Sequence, residues 1–123
     1  MNFLARELHF TDHELVLKLS GTVSLLALKR ELRIPYQCIK RVYVEHYKPP
    51  LWMLRIPGTS VAFLNIYEGT FYYEKEWYFF SFEHYVPLIH LELSGHKKYK
   101  YVIFELEKTR EALIEIRSKL REI

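Results

Sequence analysis

Apolar and polar residues alternate over most of this chain, and near its end the alternation gives way to a longer period. Glu14 to Leu19 sets Leu15, Leu17 and Leu19 on one face and Glu14, Val16 and Lys18 on the other, the pattern of a half-buried strand. Met1 to Phe10, closed by the turn-type cluster Thr11-Asp12-His13, predicts an edge strand before it. Lys29 to Ile34 alternates again, with Leu32 and Ile34 inward, until Pro35 removes a ladder donor. Ile39 to Tyr47 pairs Val42 with Val44, and Lys48-Pro49-Pro50 breaks it. Leu51 to Ile56 puts Trp52, Leu54 and Ile56 together before Pro57-Gly58 turns the chain. Residues 59 to 69 show no clean period and predict an ordered loop. Thr70 to Tyr73 and Trp77 to Phe82 form a hairpin over Glu74-Lys75-Glu76. Pro87 to Leu93 and Tyr99 to Leu106 are the last strands, separated by the turn Ser94-Gly95-His96-Lys97.

Two segments carry a helical period. Val23, Leu25, Leu26 and Leu28 fit one or two turns over Thr22 to Leu28, with Thr22 as the cap. From about Lys108 to Ile123 a single stripe of Leu113, Ile116, Leu120 and Ile123, with Ala112 beside it, predicts an amphipathic helix; Glu111, Glu115 and Lys119 lie on its wet side. The order is about six to eight short antiparallel strands and one C-terminal helix, whose stripe can be buried by laying it across the open end of a curved sheet.

Arg55 to Phe82 concentrates the aromatic residues: ten of the twenty lie between Tyr67 and Tyr85. Taken by sequence parity, Phe71, Tyr73, Trp77 and Phe79 share one face, and Tyr72, Tyr78, Phe80 and Phe82 share the other. Both faces of the hairpin are therefore apolar. Either the rest of the chain covers the second one, or a second copy does, making Tyr72, Tyr78, Phe80 and Phe82 candidate interface residues of a homo-oligomer.

Composition narrows the choice of function more than it makes one. A chain of 123 residues, half of them apolar and 27% charged, fits one globular domain over 1–123. The net charge of +3 is too mild to make nucleic acid the expected partner. Cys38 is the only cysteine, so no intrachain disulfide forms and the expected setting is cytoplasmic. The apolar run at the N-terminus is too short for a signal-peptide core, and no stretch approaches the roughly 20 residues of a membrane span.

Charge is unevenly placed. Between Lys29 and Arg55 stand seven basic and two acidic residues, a local excess larger than that of the whole chain. Lys29, Arg30, Arg33, Arg41 and Arg55 are thus candidates for an anionic ligand or acidic lipid, although Arg33, Arg41 and Arg55 can also pair with Glu31 and Glu45 across strands. His9 and His13 stand four apart but flank a turn, and His84 and His90 straddle Pro87, so neither pair makes a metal site and no cofactor is expected. No GxGxxG, GxxxxGK[ST], HExxH, CxxC or GxSxG motif occurs, and the expectation is a protein without catalytic activity.

The run LKRELRIPYQCIKRVYVE, then RIPGTSV, EGTF, a tryptophan-containing strand, KYVIFELE and a last helix resembles the small stand-alone bacterial proteins with a pleckstrin homology fold. The likeness spans about Leu15 to Leu120. It implies a mainly β fold, a barrel of about seven antiparallel strands over residues 14–106 capped by the helix 108–123. It also implies a binding or scaffolding module, since the fold's eukaryotic relatives bind inositol phosphates through basic residues on the first strands.

Overall fold

The computed structural model describes residues 5–50, 52–61 and 65–122. It is mainly β, with strands β1 (Arg6–Phe10), β2 (Glu14–Leu19), β3 (Glu31–Pro35), β4 (Ile39–Glu45), β5 (Leu54–Val61), β6 (Ile66–Tyr73), β7 (Glu76–Phe82), β8 (Leu88–Leu93) and β9 (Tyr101–Phe104). Helix α1 (Gly21–Ala27) lies between β2 and β3, and α2 (Thr109–Arg121) follows β9. No helix among the described residues is long and apolar enough to cross a membrane.

The strands form two sheets. One has three strands in the order β1-β2-β3, and the other six in the order β4-β8-β9-β7-β6-β5. Among the described residues every pairing is antiparallel except β7 with β9, where Tyr78 to Ser81 runs parallel to Tyr101 to Phe104. The β8–β9 hairpin is inserted so that β9 returns beside β7, and a purely antiparallel meander is thereby interrupted. In the pairing among the described residues β4 and β5 remain the two edges of the larger sheet, so no barrel closes.

The first face of the large sheet meets the small sheet. Leu15, Leu17 and Ile34 pack there against Phe79, Ile89, Leu91, Leu93, Val102 and Phe104, all fully buried. Burial of each such side chain is worth about 1.5–3 kcal/mol. Val23 and Ala27 of α1 and Ile116 of α2 complete this core. The predicted stripe of α2 behaves as expected at Ala112, Leu113, Ile116 and Leu120, whereas Ile123 lies outside the described residues. Helix α2 runs along β4 and β8, and Arg117 Nη2 donates to the carbonyl oxygen of Val42 at 3.2 Å, covering the β4 edge.

Four local expectations need correction. The loop foreseen at 59–69 is largely strand: Thr59 pairs with Glu68 and Gly58 with Gly69. Pro57-Gly58, expected to turn the chain, coincides instead with a register shift between Arg55 and Gly58 inside β5. An edge strand accepts proline because one row of its donors has no neighbour to serve. The strand foreseen at 51–56 starts only at Leu54. Before it, Met53 N–H donates to Pro50 O at 3.2 Å in a turn that leaves Trp52 exposed; Leu51 is outside the described residues. At α1 the cap position is Ser20, one residue before the helix, rather than Thr22.

Candidate functional site

The β6–β7 hairpin determines which aromatic residues share a face. Its turn has two residues, Glu74 (φ 48°) and Lys75 (φ 67°), both in the left-handed region usual for tight hairpins. With Tyr73 opposite Glu76 and Tyr72 opposite Trp77, odd positions on β6 face even positions on β7. The grouping by sequence parity is therefore wrong. Tyr67, Phe71 and Tyr73 share the second face with Tyr78, Phe80 and Phe82, while Tyr72, Trp77 and Phe79 belong to the first.

The second face holds its own core of Met53, Tyr67, Phe71, Phe80, Phe82, Leu88 and Ile103, with Tyr47, Tyr73, Tyr78 and Val86 packed on it. Among the described residues neither helix and no strand of the small sheet contributes to this cluster. Its rings bury each other: Phe80 lies 5.0 Å from Phe71 and 5.5 Å from Phe82, and Tyr67 lies 5.2 Å from Phe82. Phe80 and Phe82, two of the four candidate interface residues, are completely buried within the chain and offer no surface to a partner. Tyr72 is on the opposite face, 4.8 Å from Trp77. Of that set, only Tyr78 is on the second face and partly exposed.

Around Tyr78 the cross-strand register gathers a strip of half-buried tyrosines. Tyr78 stacks on Tyr101 at 4.9 Å, Tyr73 lies 6.4 Å from Tyr78, and the exposed Trp52 lies 6.5 Å from Tyr73. On β4, Tyr43 stacks on His90 at 4.8 Å, with the Arg41 guanidinium 4.9 Å above its ring. Burial, then the neighbouring Tyr101, Glu74, Glu76 and Tyr73, pushes the Tyr78 hydroxyl up to about 12. Tyr47 is raised further still, again mainly by burial. His90 is pushed down by burial, and its Nε2–H donates to Glu45 O at 3.0 Å. Tyr78, Tyr47 and His90 are thus neutral near pH 7, which suits this part of the strip to contact rather than to proton transfer.

The first face carries one buried charge network that no sequence motif announces. Arg6 Nη2 meets Glu68 Oε2 at 2.6 Å and Glu83 Oε2 at 3.0 Å, and Arg6 Nε donates to Ser81 Oγ at 2.7 Å. Ser81 in turn donates to Glu68 Oε1 at 2.6 Å. Burial lifts the Glu68 carboxyl to about 7, against the opposing pull of Arg6 and Ser81. Since Arg6 is on β1 and Glu68 on β6, the network ties the small sheet to the large one. Beside it an open groove of about 660 Å3 runs between β1 and α2, and Glu105 there accepts the backbone N–H groups of Glu83 and His84 while meeting His84 Nδ1 at 2.7 Å.

The five basic candidates do not converge. Arg33 is held by Glu14 at 3.0 Å and Glu31 at 2.6 Å, and Arg41 by Glu92 at 2.9 Å. Arg55 is exposed on the edge strand β5, and Lys29 and Arg30 lie between α1 and β3. The Lys29 ammonium is pushed down by burial and then by the charges of Lys98 and Lys97 in the β8–β9 turn. The latter two were hidden because they stand outside the basic run. Among the described residues no three side chains group as metal ligands; His9 contacts Glu7 at 2.9 Å and His13 is exposed.

Comparison with known proteins returns no match to a family model, to a curated protein or to a solved structure.

Proposed function

We propose that the protein is a non-catalytic binding module that self-associates through the second face of its large sheet. The observation that carries this is the strip Tyr43, Tyr101, Tyr78 and Tyr73, ending at exposed Trp52, on a face that no helix or second sheet overlies among the described residues. Tyrosine and tryptophan are enriched at interfaces because they bury large area while keeping a polar edge. The strip is bordered by both signs of charge, Arg41 and Lys100 on either side of Glu92, so two copies related by a twofold axis can pair unlike charges.

The resemblance to pleckstrin homology proteins belongs to this reading, supported by the run of strands ending in a C-terminal helix; the parallel β7–β9 pair is where the pairing differs from an antiparallel barrel. The cytoplasmic setting expected from the lone Cys38 goes with it. Light scattering coupled to size exclusion should give twice the 15.0 kDa chain mass at micromolar concentration. Tyr78→Glu should give the single-chain mass, and so should Trp52→Ser, which removes an exposed ring without touching the core. A monomeric parent protein, or a dimer indifferent to both substitutions, refutes self-association through this face.

A further inference from the structure

The groove between β1 and α2 has an apolar floor and an acidic rim. Ala5 and Leu8 at β1 and Leu106 and Ala112 at α2 line it, all four only partly buried where they pack on the main core. Its inner charges are already engaged: the Arg6 guanidinium is held by Glu68 and Glu83, and Glu105 by the N–H groups of Glu83 and His84. Along the rim stand Glu107, in the turn before α2, and Glu111 and Glu115 on the helix itself. These three are exposed and, among the described residues, form no ion pair. Glu111 and Glu115 are one helical turn apart, with about 5–6 Å between Cβ atoms, a like-charge pair that slightly weakens a helix.

Taken whole, the lining sets five carboxylates against Arg6 and Lys108, on a chain whose net charge is +3. The groove is also long. Past the start of α2 it continues into a second hollow of about 490 Å3, which shares residues 105–108 and Glu111 and adds Val86 and Pro87, with Arg110 at its side. Among the described residues no three of these carboxylates group closely enough to hold one metal ion. The negative charge is thus spread along the groove rather than focused at a point.

We propose that this groove binds a linear aliphatic polyamine, with its ammonium groups on Glu107, Glu111 and Glu115 and its methylene chain on the apolar floor. Such a cation repeats its charges at about the reach of a helical turn and carries apolar surface between them, so one molecule meets both features of the lining. A hydrated divalent ion would meet the charges alone. At about 660 Å3 the groove has the size usual for small-ligand sites. It does not use the tyrosine strip and does not depend on self-association.

Isothermal titration of the full chain with spermidine at low ionic strength tests it. Saturable binding at one site per chain is expected, and it should weaken as salt rises. Magnesium chloride at matched ionic strength should bind about 10-fold more weakly or worse, because it gains nothing from the floor. Glu111→Gln with Glu115→Gln, both exposed and so tolerated by the fold, should weaken spermidine about 5- to 10-fold. Ala112→Leu, which keeps every charge and fills the floor, should weaken it about 5-fold. Tyr78→Glu should bind spermidine as the parent protein does. Absence of saturable heat overturns the proposal, and so does undiminished binding by either groove variant. Magnesium binding as tight as spermidine would reduce the groove to a diffuse acidic surface and overturn it too. Trilysine binding more tightly than spermidine would assign the groove to a basic protein segment, with the same result.

Discussion

The two faces of the large sheet are buried by different means. The first is aliphatic for the most part and lies under a second sheet and two helices, so its burial comes from elements distant in sequence. The second is aromatic and is shielded mainly by neighbouring rings, with Tyr47, Met53 and Val86 added from the connections among the described residues. Rings of this size can cover each other across adjacent strands, but the outermost ones stay half wet. A face built this way is stable enough to fold and still has area to lose to a partner.

The largest test of the contrast compares adjacent residues of β7 on opposite faces, both completely buried. Phe79→Ala should cost about 4–5 kcal/mol, because the layers above and below it cannot collapse into the cavity, and Phe80→Ala about 3 kcal/mol, because surface rings can resettle. Urea denaturation measures both, and a reversed order breaks the comparison. A somewhat smaller effect is expected at Glu68. Its folded pKa lies above the ordinary 4.5, at about 7, so it holds its proton more tightly when folded. The stability it contributes is complete below about 4.5 and is lost as pH rises through 7, on the order of 3 kcal/mol. Glu68→Gln should flatten the decline of the urea midpoint between these pH values; an unchanged slope would mean that Arg6 keeps the carboxylate ionised throughout.

The smallest effect concerns the turn that sorts the rings. Lys75→Gly, at φ 67°, should stabilise by about 0.5–1 kcal/mol in a thermal melt without altering self-association. A loss of stability there would mean that the Lys75 side chain makes contacts the turn depends on.

What could be foreseen from the chain follows the same division. The alternating core residues Leu15, Leu17 and Leu19 of β2 and Ile89, Leu91 and Leu93 of β8 announce themselves by their period of two, and the α2 stripe by its spacing. The pairing of Gly58 with Gly69 was masked because Pro57 and the glycines look like breaks, although an edge strand tolerates them. Face membership in the hairpin depended on turn length, which Glu74-Lys75-Glu76 does not reveal without a glycine. Arg6 and Glu68, 62 positions apart, meet only through the order of strands. A mild net charge carries no trace of that juxtaposition.

The central claim is that the tyrosine face is where two copies meet, and hydroxyl-radical footprinting at low and high protein concentration tests it at residue level. Association should protect Tyr43, Tyr78, Tyr101 and Trp52 as concentration rises and leave the exposed Leu25 and Leu28 unchanged. Labelling of those four rings that stays constant while the mass doubles would place the interface elsewhere and contradict the account.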